Sequence, residues 1–203
     1  KYKFSIAFLD MDDTLLNANS WEIIKRMSGN GEDHFSEYML GKISYPELLS
    51  KSFGKKQVCQ NEIMAKAEQA EPRPEADTLV YIMKSLGIEP IIVTAGLCEF
   101  ARAVAEKLEI GEYYCNELEY RNGCATGAVL VKVEPLRKIE LIEKIIAQKN
   151  ATWREAVLIG DSPLDFDSRA GLNIMLETER YSSWTPPEWI LRVRSLISVP
   201  VFF

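Results

Sequence analysis

The sequence predicts an open, mainly parallel α/β sheet with a helical segment inserted after the first strand. Two observations predict it. Phe4-Ser5-Ile6-Ala7-Phe8-Leu9 is an apolar run of strand length, read as a strand buried on both faces. After Glu71-Pro72-Arg73-Pro74, short apolar strands alternate with amphipathic helices, the pattern of βαβ units. Between these lies a stretch with only helical signals. At 203 residues and 47% hydrophobic content the chain is long enough for one domain with a modest insertion. A formal net charge of −6 with no basic run leaves no nucleic-acid footprint. No apolar run has membrane-spanning length and no signal-peptide pattern is visible, so a soluble cytoplasmic protein is expected.

The elements follow in order. The first strand ends in Asp10, Asp12 and Asp13. Asn19-Ser20-Trp21-Glu22 reads as a helix start capped by Asn19, and Ser44-Tyr45-Pro46-Glu47 repeats that signature. Glycines at 29, 31, 41 and 54 punctuate the run, and 58–70 is a further helix. The main body resumes with a helix over 75–86 closed by Gly87, a strand over 88–93 ending at Thr94-Ala95-Gly96, and a helix over 97–108. Asn122-Gly123 between 113–120 and 124–131 signals a hairpin. A helix over 136–148, a strand over 156–159 ending at Gly160-Asp161-Ser162, and a strand over 173–176 complete the pattern. The four cysteines, Cys59, Cys98, Cys115 and Cys124, lack C-x-x-C spacing and are read as buried free thiols, and the sole histidine, His34, as a surface residue.

Three carboxylates within four residues at a strand end repel one another, so a compensating cation is expected there. Carboxyl ends of strands are where open α/β sheets bind ligands. Asp161 and Asp165 fall at a second strand end, Thr94 at a third, and Lys138 at a helix start, where a cation opposes the helix dipole unless an anion faces it.

In this order, Asp10-x-Asp12-x-Thr14-Leu15, Thr94, Lys138 and Asp161…Asp165 resemble the four motifs of the haloacid dehalogenase-like (HAD) superfamily, most closely its phosphoserine-phosphatase-like branch. The resemblance implies a Rossmann-like core (residues 1–16 and 72–203) and a small helical cap (17–71). It implies a magnesium-dependent phosphomonoesterase acting on a small phosphomonoester. Asp10 would be the nucleophile and Asp12 the general acid and base. Thr94 would hold a phosphoryl oxygen, and Lys138, preferred to Lys132, would neutralise charge. The metal would lie on Asp10, the Asp12 carbonyl and Asp161, with Asp165 orienting its surroundings. A phosphotransferase shares these parts, and a phospho-receiver domain shares some of them but has no cap.

Phosphoserine phosphatases carry a cap glutamate and a cap arginine for the substrate's amino and carboxyl groups. Asn19 and Ser52 stand at those positions here, and Ala95 replaces a glycine beside the second-motif hydroxyl. Losing both charges argues against phosphoserine as the preferred substrate. Arg26 and Lys51 are the candidate replacements for the arginine. Trp21, Tyr38, Met39, Tyr45 and Phe53 are further candidates for the specificity wall.

Overall fold

The computed structural model describes residues 4–203. Its sheet has seven strands: β1 (Ile6–Leu9), β2 (Glu89–Leu97), β3 (Glu112–Arg121), β4 (Cys124–Leu130), β5 (Ala156–Gly160), β6 (Leu172–Leu176) and β7 (Leu191–Val193). Their order is β4-β3-β2-β1-β5-β6-β7, and every neighbouring pair is parallel except the β3–β4 hairpin. β1 is central, so its residues are buried on both faces and alternate between two cores. Ala7 and Leu9 join one cluster with Leu79, Met83 and Val104; Ile6 and Phe8 join the other with Ile142, Ile145 and Ile146. The first cluster draws on α5 (Ala76–Ser85) and α6 (Cys98–Lys107), the second on α7 (Lys138–Gln148), which covers the opposite face.

Between β1 and β2 lie α1 (Ser20–Ser28), α2 (Phe35–Met39), α3 (Tyr45–Lys51) and α4 (Gln60–Gln69). The two predicted helix starts are where the capping residues place them. Asn19 accepts from the Trp21 and Glu22 amides, and Ser44 forms a reciprocal capping box with Glu47. Tyr38, Tyr45, Leu48 and Leu49 give this segment its own small core. The hairpin turn holds Asn122 at φ 51° and Gly123 at φ 79°, the two positive φ angles that a type I′ turn requires.

Three features depart from expectation. The cysteines are not free thiols: Cys59 is bonded to Cys124 and Cys98 to Cys115. The first pair lies 65 residues apart and joins the start of α4 to the hairpin; the second, 17 apart, joins the start of α6 to β3. The first proximity is made by the hairpin against the start of α4, the second by the crossover that returns β3 beside β2. β2 runs on to Leu97 through a register shift after Val93 rather than stopping at Thr94. The three-residue β7, with Arg192 at its centre, is absent from the sequence expectation because it is too short to show a period.

His34 is half-buried and pairs with Glu32 and Glu37. In the apolar segment 199–203, Val199 is buried and Phe203 meets Phe4 edge to face with ring centroids 6.3 Å apart, while Val201 and Phe202 are exposed. Among the described residues no helix is long and apolar enough to cross a membrane.

Candidate active site

Strand register assembles the site. Leu9 lies opposite Ile92 of β2 and Ile159 of β5, so Asp10 emerges between Val93–Thr94 on one side and Gly160–Asp161 on the other. The Asp10 amide continues the ladder to the Ile159 carbonyl at 2.9 Å. From there the chain turns sharply over 11–15, with Asp12 extended and Asp13 in the left-handed region at φ 60°. Asp10, Asp161 and Asp165 are brought together with carboxylate oxygens within 4.8 Å of one another, all three shielded from solvent.

Lys138 reaches this group from the first turn of α7. Its ammonium donates to Asp10 Oδ1 and Asp165 Oδ1, both at 2.6 Å. Lys132 points elsewhere, pairing with Glu117 on the exposed hairpin. Asp165 is pinned on its other oxygen by the Ser162 amide at 2.9 Å. A Cβ on Gly160 would collide with the Asp165 carboxylate, so a glycine is needed there. Asp161 accepts from Thr14 Oγ1 at 3.4 Å and Thr178 Oγ1 at 3.2 Å.

The Asp12 carboxylate turns away from the triad toward α1. The Ser20 amide donates to Oδ1 at 3.0 Å and the Ser20 hydroxyl to Oδ2 at 2.7 Å. Gly96 leaves the room: a Cβ there would lie 2.5 Å from Asp12 Oδ2. Thr94 is buried and its hydroxyl accepts from the Gly96 amide at 2.9 Å. The Ala95 carbonyl is a junction between the sheet, the helical insertion and the hairpin, accepting from Trp21 Nε1, the Tyr45 hydroxyl and Asn116 Nδ2 at 3.0, 3.2 and 2.8 Å.

Burial raises the Asp12 carboxyl to about 7; the two Ser20 hydrogen bonds oppose that rise and the Asp13 charge adds to it. Asp161 is also raised to about 7, by burial first and then by the charges of Asp165 and Asp13. Burial raises Asp10 as well, Lys138 opposing it and the Asp165 and Asp161 charges adding to it. Burial lowers the Lys138 pKa, but Asp10 and Asp165 outweigh it and hold the ammonium above the ordinary lysine range. Three clustered carboxylates, those of Asp10, Asp161 and Asp165, thus share one buried ammonium. The donors are hard oxygens, crowded and under-compensated, and they fit a small divalent cation.

The residues the sequence proposes for chemistry, Asp10, Asp12, Thr94, Lys138, Asp161 and Asp165, line one cavity of about 140 Å³ together with Asn19, Ser52 and Ala95. Asn19 and Ser52 have little left to offer a ligand. Asn19 Oδ1 caps α1 and its Nδ2 donates to Asp13; the buried Ser52 hydroxyl donates to the Leu48 carbonyl at 3.0 Å. Trp21 and Tyr45 line the cavity, whereas Tyr38, Met39 and Phe53 do not, nor do Arg26 and Lys51. Lys25 and Arg180 are the cations found there besides Lys138. Thr178 and Arg180 carry no signal in the sequence; Ser20 has one, its place directly after a capping residue.

A family model described as haloacid dehalogenase-like hydrolase matches residues 7–168. Phosphoserine phosphatase of Archaeoglobus fulgidus is 26% identical over 81% of this chain, which spans half the length of that relative. The enzyme of the same name from Methanocaldococcus jannaschii is 27% identical over 85% of each chain. A solved structure of a phospho-aspartyl intermediate analogue of phosphoserine phosphatase superimposes with a TM-score of 0.82 at 22% identity, covering 98% of this chain and 99% of the other. The matched segment runs from the first strand through Asp10, Thr94, Lys138 and Asp165. The chain belongs to the haloacid dehalogenase-like hydrolase family, within which it stands with the phosphatases related to phosphoserine phosphatase.

Proposed function

We propose that the chain is a magnesium-dependent phosphomonoesterase for a small phosphorylated metabolite, working through an aspartyl-phosphate on Asp10. The observation that carries the reading is the setting of Asp10. It lies at the end of the central strand, 2.6 Å from the Lys138 ammonium, beside two further buried carboxylates. Residues 1–16 and 72–203 would form the catalytic core and 17–71 the cap over it. The cavity of about 140 Å³ suits a small ester rather than a protein segment.

In the first half-reaction an Asp10 oxygen bonds to phosphorus as the ester P–O bond breaks. Asp12 gives its proton to the departing alkoxide, a role suited to a carboxyl whose pKa lies near neutrality. In the second, Asp12 takes a proton from water as the water oxygen bonds to phosphorus, and the Asp10–phosphorus bond breaks to release phosphate. Thr94 and Lys138 lie where the phosphoryl oxygens would gather, and Lys138 offsets their charge. Asp10, the Asp12 carbonyl and Asp161 would hold the magnesium, with Asp165 orienting Lys138. When bound, the ion supplies charge stabilisation for the transferred phosphoryl group.

The test is a screen of phosphorylated metabolites and p-nitrophenyl phosphate, with magnesium and with chelator. Release of phosphate that needs magnesium and fails in Asp10→Asn supports the reading. Failure with every ester, or turnover that survives exhaustive chelation, overturns it. Phosphoryl transfer to an added alcohol in preference to water would reassign the chain as a phosphotransferase.

A further inference from the structure

Arg180 lies in the loop after β6, and its side chain enters the cavity wall. Its guanidinium stands over the ring of Phe35, from the helical insertion, at 5.5 Å, and over that of its neighbour Tyr181 at 5.9 Å. Rings on these sides steer a guanidinium by cation–π attraction while leaving its in-plane N–H groups to find oxygen acceptors. Among the described residues its one carboxylate neighbour is Asp13, at a long 3.9 Å, and that carboxylate is already shared with Asn19 Nδ2 at 3.1 Å.

The other cavity cations are committed. Lys138 is held at 2.6 Å by both Asp10 and Asp165. Lys25 is held by Glu22 at 2.9 Å, with Asp33 at 3.8 Å. Arg180 is the positioned cation in this wall whose donors are not taken up by hydrogen bonds to the described residues. Trp21 and Tyr45, in the same wall, spend their polar atoms on the Ala95 carbonyl, and the carboxylates of Glu22 and Asp33 that also line it face Lys25.

We propose that Arg180 is a specificity residue that receives a second anionic group, a carboxylate, on the leaving alcohol of the phosphomonoester. This rests on the phosphomonoesterase reading and names its substrate class: small phosphate esters that carry a second acid and no ammonium. A planar guanidinium meets a carboxylate with paired N–H donors, which an alcohol or an amine on the substrate cannot exploit. The Phe35 contact also ties this recognition to the seating of the insertion on the core.

The experiment measures kcat/KM with magnesium for esters that differ in the charge of the distal group. Phosphoglycolate and 3-phosphopropionate are compared with ethyl and propyl phosphate, and phosphoethanolamine serves as the cationic member. The expected result is a preference of about ten- to a hundredfold for the better acid-bearing ester over its neutral partner, the scale of a charge-assisted contact. Arg180→Gln should lower that ratio to near one, chiefly through KM, and Arg180→Lys should keep part of it. A ratio near one in the unaltered protein, a ratio that survives Arg180→Gln, or a preference for phosphoethanolamine overturns the proposal. Thermal-shift titration with the same esters reads the preference without turnover. If no ester is hydrolysed, the phosphomonoesterase reading falls, while the shift still decides whether Arg180 selects the acid.

Discussion

Ser20 binds both oxygens of Asp12, its amide donating to one at 3.0 Å and its hydroxyl to the other at 2.7 Å. The first residue of the first inserted helix therefore fixes the proposed general acid. The same hydroxyl also accepts from the Leu97 amide at 3.2 Å, so it joins the first and second motifs.

Ser20→Ala removes that hydroxyl from a fully buried position and leaves the Leu97 amide and an Asp12 oxygen short of a partner. The expected cost is about 1–3 kcal/mol of stability. Both Ser20 bonds favour the ionised carboxylate, so losing one moves the Asp12 pKa further up. The pH–rate limb assigned to Asp12 should shift to higher pH, with turnover lower by about tenfold. Calorimetry and a pH–kcat profile check this, and an unshifted limb would detach Asp12 from the proton transfer.

Magnesium removal should affect stability in a pH-dependent way. Asp12 and Asp161 have folded pKa values raised to about 7 by burial, above those of the unfolded chain near 4. A raised pKa contributes stability that is complete below the unfolded value and is lost as pH climbs through the folded value. Metal-free protein should therefore melt at progressively lower temperature from about pH 4 to pH 8. Magnesium at a hundred times its Kd should restore about 2.7 kcal/mol, or roughly 5–10 °C, at pH 8, and much less at pH 5. A magnesium effect independent of pH would remove the carboxylate cluster as its site.

The disulfides differ in accessibility. Cys98 and Cys115 are buried, whereas Cys59 and Cys124 are partly exposed. Mild reductant should open Cys59–Cys124 first, and Cys98–Cys115 only on unfolding. Loops of 65 and 17 residues correspond to about 4 and 3 kcal/mol in the chain-entropy account. Opening the longer one should lower Tm by roughly 8–15 °C. Alkylation and mass mapping during a reductant titration give the order, and simultaneous opening would contradict it.

What could be read in advance was whatever leaves a local mark. Asp10 and Asp161 announce themselves together, because carboxylates gathered at the ends of apolar strands repel one another unless a cation faces them. Asn19 and Ser44 mark helix starts because capping acts within four residues. Arg180 left no mark: a lone arginine in an irregular loop gains its meaning from Phe35, 145 positions away in the chain. The cysteine pairing leaves no local mark either, since it depends on where the hairpin and the β2–β3 crossover bring distant segments together. Asn19 and Ser52 line the same cavity as Asp10, but the Asn19 bond to Asp13 and the Ser52 bond to the Leu48 carbonyl follow from local geometry that spacing alone does not reveal.

The central claim is that Asp10 carries the phosphoryl group. The most direct measurement is a single-turnover reaction with p-nitrophenyl phosphate, quenched in acid and digested for mass mapping. The account predicts one phosphoryl group on the peptide containing Asp10, forming and decaying with turnover. It also predicts a loss of activity on the order of 10⁴-fold or more in folded Asp10→Asn. Turnover with no phosphorylated peptide at any time, or retained activity in pure folded Asp10→Asn, would contradict it.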